Sequence, residues 1–135
     1  MNTTELRIGR NINGTPMRSK DWKQFQADAL AVLEQFAQDI EADESWTEVH
    51  FGTGTWTNAA GVTESEDSAV VTLYWSEHGL LSADRTQFEL DQLESAVAKL
   101  ADRYLQDAVA LVHGRSNLVA GQQRYKQALE NLLES

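Results

Sequence analysis

The sequence predicts an α+β domain of ferredoxin-like order, βαββαβ. A four-stranded antiparallel sheet would carry two helices on one face, followed by an extra C-terminal helix. Three observations predict it. Period-two alternation marks strands at 5–12, 46–57 and 68–75. Two long segments, 20–40 and 86–106, place apolar residues at helical spacing. A short apolar run, 108–113, follows the second of them.

In the first strand Leu6, Ile8, Arg10 and Ile12 alternate with Glu5, Arg7, Gly9 and Asn11. A glycine inside a strand, here Gly9, signals a bulge or a close backbone approach. Asn13-Gly14-Thr15-Pro16 ends the strand with turn chemistry, and the chain's single proline lies there. Ser19 is then expected to cap a helix whose first turn holds Asp21, favoured by the helix dipole. Its stripe is Trp22, Phe25, Ala29, Val32, Phe36 and Ile40, widened by Leu30 and Leu33.

The segment WTEVHFGTGTWT sets Trp46, Glu48, His50, Gly52, Gly54 and Trp56 on one face. Thr47, Val49, Phe51, Thr53, Thr55 and Thr57 take the other. β-Branched and aromatic residues favour a strand, and its glycines suggest a bulge or bend. A turn at 58–61 and a polar loop with Glu64, Ser65, Glu66 and Asp67 lead to the strand 68–75. Strands this close in sequence form a hairpin. His78-Gly79 breaks the chain, and Thr86-x-x-Glu89 matches a capping box. The helix behind it carries Leu90, Leu93, Val97, Leu100 and Tyr104 on one stripe. Residues 108–113 read as a short buried strand ended by Gly114, although AVALV also suits a continuation of the helix. A last amphipathic helix is expected at 122–134, with Tyr125, Ala128, Leu129, Leu132 and Leu133 on one side. With no repeat, linker or low-complexity tract, 1–135 reads as one domain: a core at 5–120 and a helical extension at 121–135.

This order predicts a core of Leu6, Ile8, Val49, Phe51, Val71, Leu73, Trp75, Val109 and Leu111. The opposite sheet face would present Arg7, Gly9, His50, Gly52, Trp56, Thr72 and Tyr74, with Val112. Aromatic residues on an uncovered face imply a second copy, coverage by the C-terminal helix, or a ligand or partner site.

Composition narrows the chemistry. The chain has 135 residues, long enough for one core without covalent staples. It lacks cysteine, which excludes disulfides and thiolate metal sites and suits a reducing compartment; a cytoplasmic location is expected. No basic-then-apolar leader and no bilayer-length apolar run is present, so no secretory signal and no membrane partner are expected. Net charge is −10, from 21 acids against 11 bases. The densest bases, Arg7, Arg10, Arg18, Lys20 and Lys23, are mixed with polar residues, which disfavours direct nucleic-acid binding. An acidic face can serve solubility alone, or dock on a basic partner or imitate nucleic acid.

Catalytic spacing is missing. His50, His78 and His113 fall in separate elements, without H-x-x-H or H-E-x-x-H. Gly52-Thr53-Gly54 lacks the rest of a phosphate loop, and Glu64, Glu66 and Asp67 lack the ligand ladder of a calcium loop and read as a solvated loop. No G-x-S-x-G elbow exists. No cofactor, metal ligand or catalytic residue is therefore assigned. The residues expected to form a binding surface are Arg7, Arg10, His50, Trp56 and Tyr74.

The string GRNINGTPM at 9–17 with Trp22 soon after, GTGTW at 52–56 with a later Glu64-Ser65, and AVALVHG at 108–114 resemble small uncharacterised proteins of actinobacteria and their phages with ferredoxin-like order. The likeness spans residues 6–120 and leaves out the last helix. That family has no established activity, so it lends no catalytic residue. The resemblance implies a non-enzymatic protein-binding module, a phage-type acidic inhibitor of a host defence or nucleic-acid-processing protein. A small-ligand-binding domain or minor enzyme using the open sheet face is one alternative. A structural homodimer is another.

Overall fold

The computed structural model describes residues 1–57, 60–77, 82–107 and 109–115, without the side chains of Trp56 and Arg115. Its elements run β1 (Asn2–Gly9), β2 (Asn11–Ile12), β3 (Thr15–Pro16), α1 (Ser19–Asp39), β4 (Ser45–Thr57), β5 (Thr63–Trp75), α2 (Ala83–Arg103) and β6 (Ala110–Arg115). Four strands form one antiparallel sheet in the order β4-β5-β1-β6, and β2 and β3 pair separately. The helices pack on one face of that sheet. The expected C-terminal helix at 122–134 lies outside the described residues.

The first predicted strand divides in two at Arg10. Beyond it Asn13 and Gly14 have φ of 49° and 79° and join Ile12 to its partner Thr15. Two successive positive φ values make the two-residue turn that matches strand twist, and Asn-Gly favours it. Helix α1 starts at Ser19 behind Arg18, without a side-chain cap. The expected Ser19 cap is thus corrected: its hydroxyl oxygen lies 3.4 Å from Arg10 Nη2 instead. Helix α2 starts a turn earlier than its capping box implies, because Ser82 Oγ accepts the amide of Arg85 at 3.1 Å. Glu89, the box's acid, instead pairs with Arg85 at 3.2 Å.

Both helices end the same way. The amide of Ala42 reaches the carbonyl of Ala37 and that of Gln106 reaches the carbonyl of Ala101, with Glu41 (φ 52°) and Leu105 (φ 55°) in the left-handed region. These are Schellman closures made without glycine. The second closes α2 before the AVALV run, so that run becomes strand β6. Gly114 lies inside β6 and does not end it.

The core lies between the helices and the two central strands. Leu6, Ala69, Val71, Leu73 and Trp75 from the sheet meet Phe25, Ala29, Leu33, Phe36 and Ile40 from α1, and Leu93, Val97 and Leu100 from α2. Phe36 meets Trp75 edge-on at 5.6 Å, and Tyr104 stacks on Phe25 at 4.4 Å. Each fully buried side chain of this size contributes roughly 1.5–3 kcal/mol. Val49, Val109 and Leu111 are only partly buried against this core. Phe51, expected in it, is 68% exposed. It shares the helix-side face with Ala69, but β4 is an edge strand and the helices sit over β5 and β1. Among the described residues no helix is long and apolar enough to cross a membrane.

Candidate functional site

Residues facing each other across an antiparallel ladder point to the same side of the sheet. The register therefore fixes the contents of the face opposite the helices. Trp46, Tyr74 and Thr3 make one row, Glu48, Thr72 and Glu5 the next, then His50, Val70 and Arg7. Gly52, Ser68 and Gly9 follow, then Gly54 opposite Glu66, and Trp56 opposite Glu64 comes last. The β4–β5 ladder keeps one register from Ser45↔Trp75 to Thr57↔Thr63, so the bulge expected at the glycines does not occur. β1 covers only Ser68–Trp75 of β5, and the rest of the hairpin runs on as a two-stranded ribbon.

In place of a bulge, the glycines leave this stretch of the face bare of side chains. Among the described residues a Cβ on Gly54 would meet nothing within 4 Å, and one on Gly52 only Ser68 Oγ at 3.7 Å. Beside them Glu66 is held closely. Its carboxylate accepts the amide of Asn11 at 3.0 Å and fills the space a Gly9 side chain would need. Gly9 thus permits the close approach its position in the strand suggested, by a carboxylate and not by backbone. Among the described residues Glu66 has no ion pair. Glu64, Glu66 and Asp67 belong to β5, which corrects the solvated-loop reading of this segment.

On the other side of Gly52 and Gly54, Glu48 Oε2 lies 3.2 Å from His50 Nε2 and accepts the Tyr74 hydroxyl at 3.4 Å. Trp46 stacks on Tyr74 with centroids 5.2 Å apart. Arg7 pairs with Glu5 at 3.3 Å. The carboxylate of Glu48 can orient the imidazole of His50, the arrangement proton transfer requires.

Of the expected surface residues, the structure brings His50, Arg7 and Tyr74 onto this face. Trp56 lies in β4 opposite Glu64, and its side chain is outside the described residues. Arg10 is elsewhere: it donates to the Met17 carbonyl at 2.8 Å and to Asp67 at 3.1 Å, clasping the β2–β3 hairpin to β5. Thr72 lies on the face by register yet is 3% exposed. The sequence reading left out Glu66, Glu48 and Trp46. The available signal was the alternation of Glu64, Glu66 and Ser68 continuing that of β5. Among the described residues, no group of three or more His, Asp or Glu could hold a metal ion.

Acids are spread over the molecule. Asp28 lies on α1, Glu89, Asp91 and Glu94 on α2, Glu5 and Glu48 on the sheet, and Glu66 and Asp67 on the ribbon. Several are ion-paired: Asp28 with Arg103, Glu89 with Arg85 and Asp67 with Arg10.

The chain matches no family model and no curated protein. Among solved structures it is similar to a phage SAM lyase in its apo state, at 15% identity over 86% of this chain and 90% of that one, TM-score 0.48. It is likewise similar to a phage SAM lyase in complex with S-methyl-5'-thioadenosine, at 15% identity over 87% and 91%, TM-score 0.48. The expectation of a non-enzymatic acidic inhibitor is corrected here. Among the described residues the acids lie on both helices, on the sheet and on the ribbon, and do not gather on one face as nucleic-acid imitation requires.

Proposed function

We propose that the open sheet face is a binding site for a small polar ligand, and that the chain acts on that ligand as an enzyme. One observation carries this reading. The stretch of the face left bare of side chains at Gly52 and Gly54 lies between a carboxylate held by the Asn11 amide, Glu66, and the Glu48–His50 pair. The carboxylate and the imidazole provide an acceptor and a proton-transfer group beside one open stretch of sheet. With Glu66 and Glu48 flanking it, this stretch suits a ligand bearing a cationic or hydrogen-bond-donating group. The strand order β4-β5-β1-β6 supports reading the sheet as the ferredoxin-like plan, and the site lies on the face opposite α1 and α2.

The test is NMR titration of the labelled protein with a panel of amines, amino acids, nucleosides and sulfonium compounds, including SAM and S-methyl-5'-thioadenosine. Binding should move the amides of Gly52, Gly54, Ser68 and Gly9, and Glu66→Gln should weaken it at least about tenfold, the loss of one charge-assisted contact. A panel that leaves those amides unmoved overturns the reading.

A second copy of the chain over the same face is favoured by Trp46 and Val112, 40% and 42% exposed there. Light scattering giving twice 15.1 kDa would support it, and a monomer would remove it.

A further inference from the structure

Trp75, Thr4 and His113 form a chain of hydrogen bonds where β6, β1 and β5 lie side by side. Trp75 Nε1 donates to Thr4 Oγ1 at 3.0 Å, and Thr4 Oγ1 lies 3.0 Å from His113 Nδ1. Trp75 and Thr4 are fully buried, and the His113 ring stacks on the Trp75 indole with centroids 5.9 Å apart. An indole N–H only donates, and a threonine hydroxyl has one proton. Thr4 accepts from Trp75, and among the described residues His113 Nδ1 is the one other partner of its hydroxyl, so the buried Thr4 proton is satisfied when it is donated to an unprotonated Nδ1. The imidazole proton then lies on Nε2.

Protonation of His113 breaks this chain. Nδ1 then carries a hydrogen and faces the Thr4 hydroxyl as a second donor. The Thr4 proton loses its acceptor at a fully buried site, where an unmade hydrogen bond is costly. Among the described residues His113 stands on an edge strand whose one sheet neighbour is β1.

We propose that the Thr4–His113 contact is a pH-sensitive fastening of β6: the neutral imidazole holds the strand end to β1 and the core, and protonation loosens it. The charged groups facing the ring are acids. Glu77 follows β5 and accepts from Asn2 Nδ2 at 3.4 Å, and Asp91, Glu94 and Asp102 of α2, with Asp107 after it, line the same groove as His113. β1 offers only the neutral Asn2 and Thr4. Burial lowers the His113 pKa from its ordinary 6.5, against the opposing pull of Glu77. For a base with a lowered folded pKa, the stabilisation is fully present above 6.5 and is lost as pH falls toward the folded value.

Two measurements on the full chain test this. Nitrogen NMR of the imidazoles should show His113 protonated on Nε2 at neutral pH, titrating below its ordinary 6.5. Hydrogen exchange across Ala110–Gly114 should then quicken on acidification roughly tenfold more than across β4, the effect of one lost buried hydrogen bond. His113→Asn keeps an oxygen acceptor near the Nδ1 position and cannot titrate, so it should exchange like wild type at neutral pH and lose the acid response. A proton found on Nδ1 at neutral pH, or an acid response that persists in His113→Asn, overturns the proposal. If that variant does not fold, the wild-type tautomer and titration decide alone.

Discussion

The carboxylate of Glu66 occupies the space that a side chain on Gly9 would fill: a Cβ there would lie 2.5 Å from Glu66 Oε1. Gly9 has no left-handed φ, so its requirement for glycine is one of room. Gly9→Ala should push Glu66 off the Asn11 amide and cost about 1–2 kcal/mol, the value of a hydrogen bond to a charged group. Adding Glu66→Ala should recover part of that cost, since neighbouring changes couple. Urea denaturation of the two single variants and the double variant measures the coupling. Additive losses would mean that the two residues are independent.

Gly54 should separate binding from folding. A side chain there meets open space, and β-branched residues suit strands. Gly54→Val should leave the melting temperature unchanged or raised, while filling that space and abolishing ligand-induced shifts on the sheet face. Retained binding would place the ligand elsewhere.

Leu105 and Glu41 hold left-handed conformations that cost a side-chain-bearing residue about 1–2 kcal/mol. Leu105 is 69% exposed, so little burial is lost with its side chain. Leu105→Gly should raise stability by roughly 0.5–1 kcal/mol, and Glu41→Gly by a similar amount. Both are read from urea midpoints, and destabilisation at either position would refute the account of how the helices end.

Tyr104 donates its hydroxyl proton to Asp28 while stacking on Phe25. Burial, then the Asp28 hydrogen bond and charge, push its pKa up to about 12 from 10.0. The same hydrogen bond is the chief cause lowering the Asp28 carboxyl below 3.8. The raised phenol contributes stability that is present below pH 10 and is lost as pH rises toward about 12. The lowered carboxyl contributes stability present above 3.8 and lost as pH falls through its folded value. Tyr104→Phe keeps the stack and should flatten the alkaline limb and weaken the acid limb. Thermal unfolding across pH checks both.

What could be read in the sequence follows from which signals are periodic. Alternation from Leu6 to Ile8 and Val71 to Trp75, and the stripe from Trp22 to Ile40, located the core strands and α1, because one-sided burial imposes its period on residue choice. Phe51 misled for the same reason: it keeps the period of a core position but neither α1 nor α2 covers it. The helix ends were hidden, because Glu41 and Leu105 turn the chain in a conformation that composition assigns to glycine. The candidate site was half visible. His50 and Tyr74 stood out by type and alternation, while Glu66 looked like loop charge. Its partners Gly9 and Asn11 lie more than fifty residues away, and only the β1–β5 register brings them together.

The pairing of β1 with β6 sets a schedule for the nascent chain. Asn2 pairs with Arg115, so the sheet cannot be finished until Arg115 has left the ribosome. At ordinary synthesis rates the wait between the two is on the order of ten seconds. During it, the backbone that will sit at the centre of the sheet has one side open to any other extended segment. A chaperone acting on this protein would therefore have most to guard in β1.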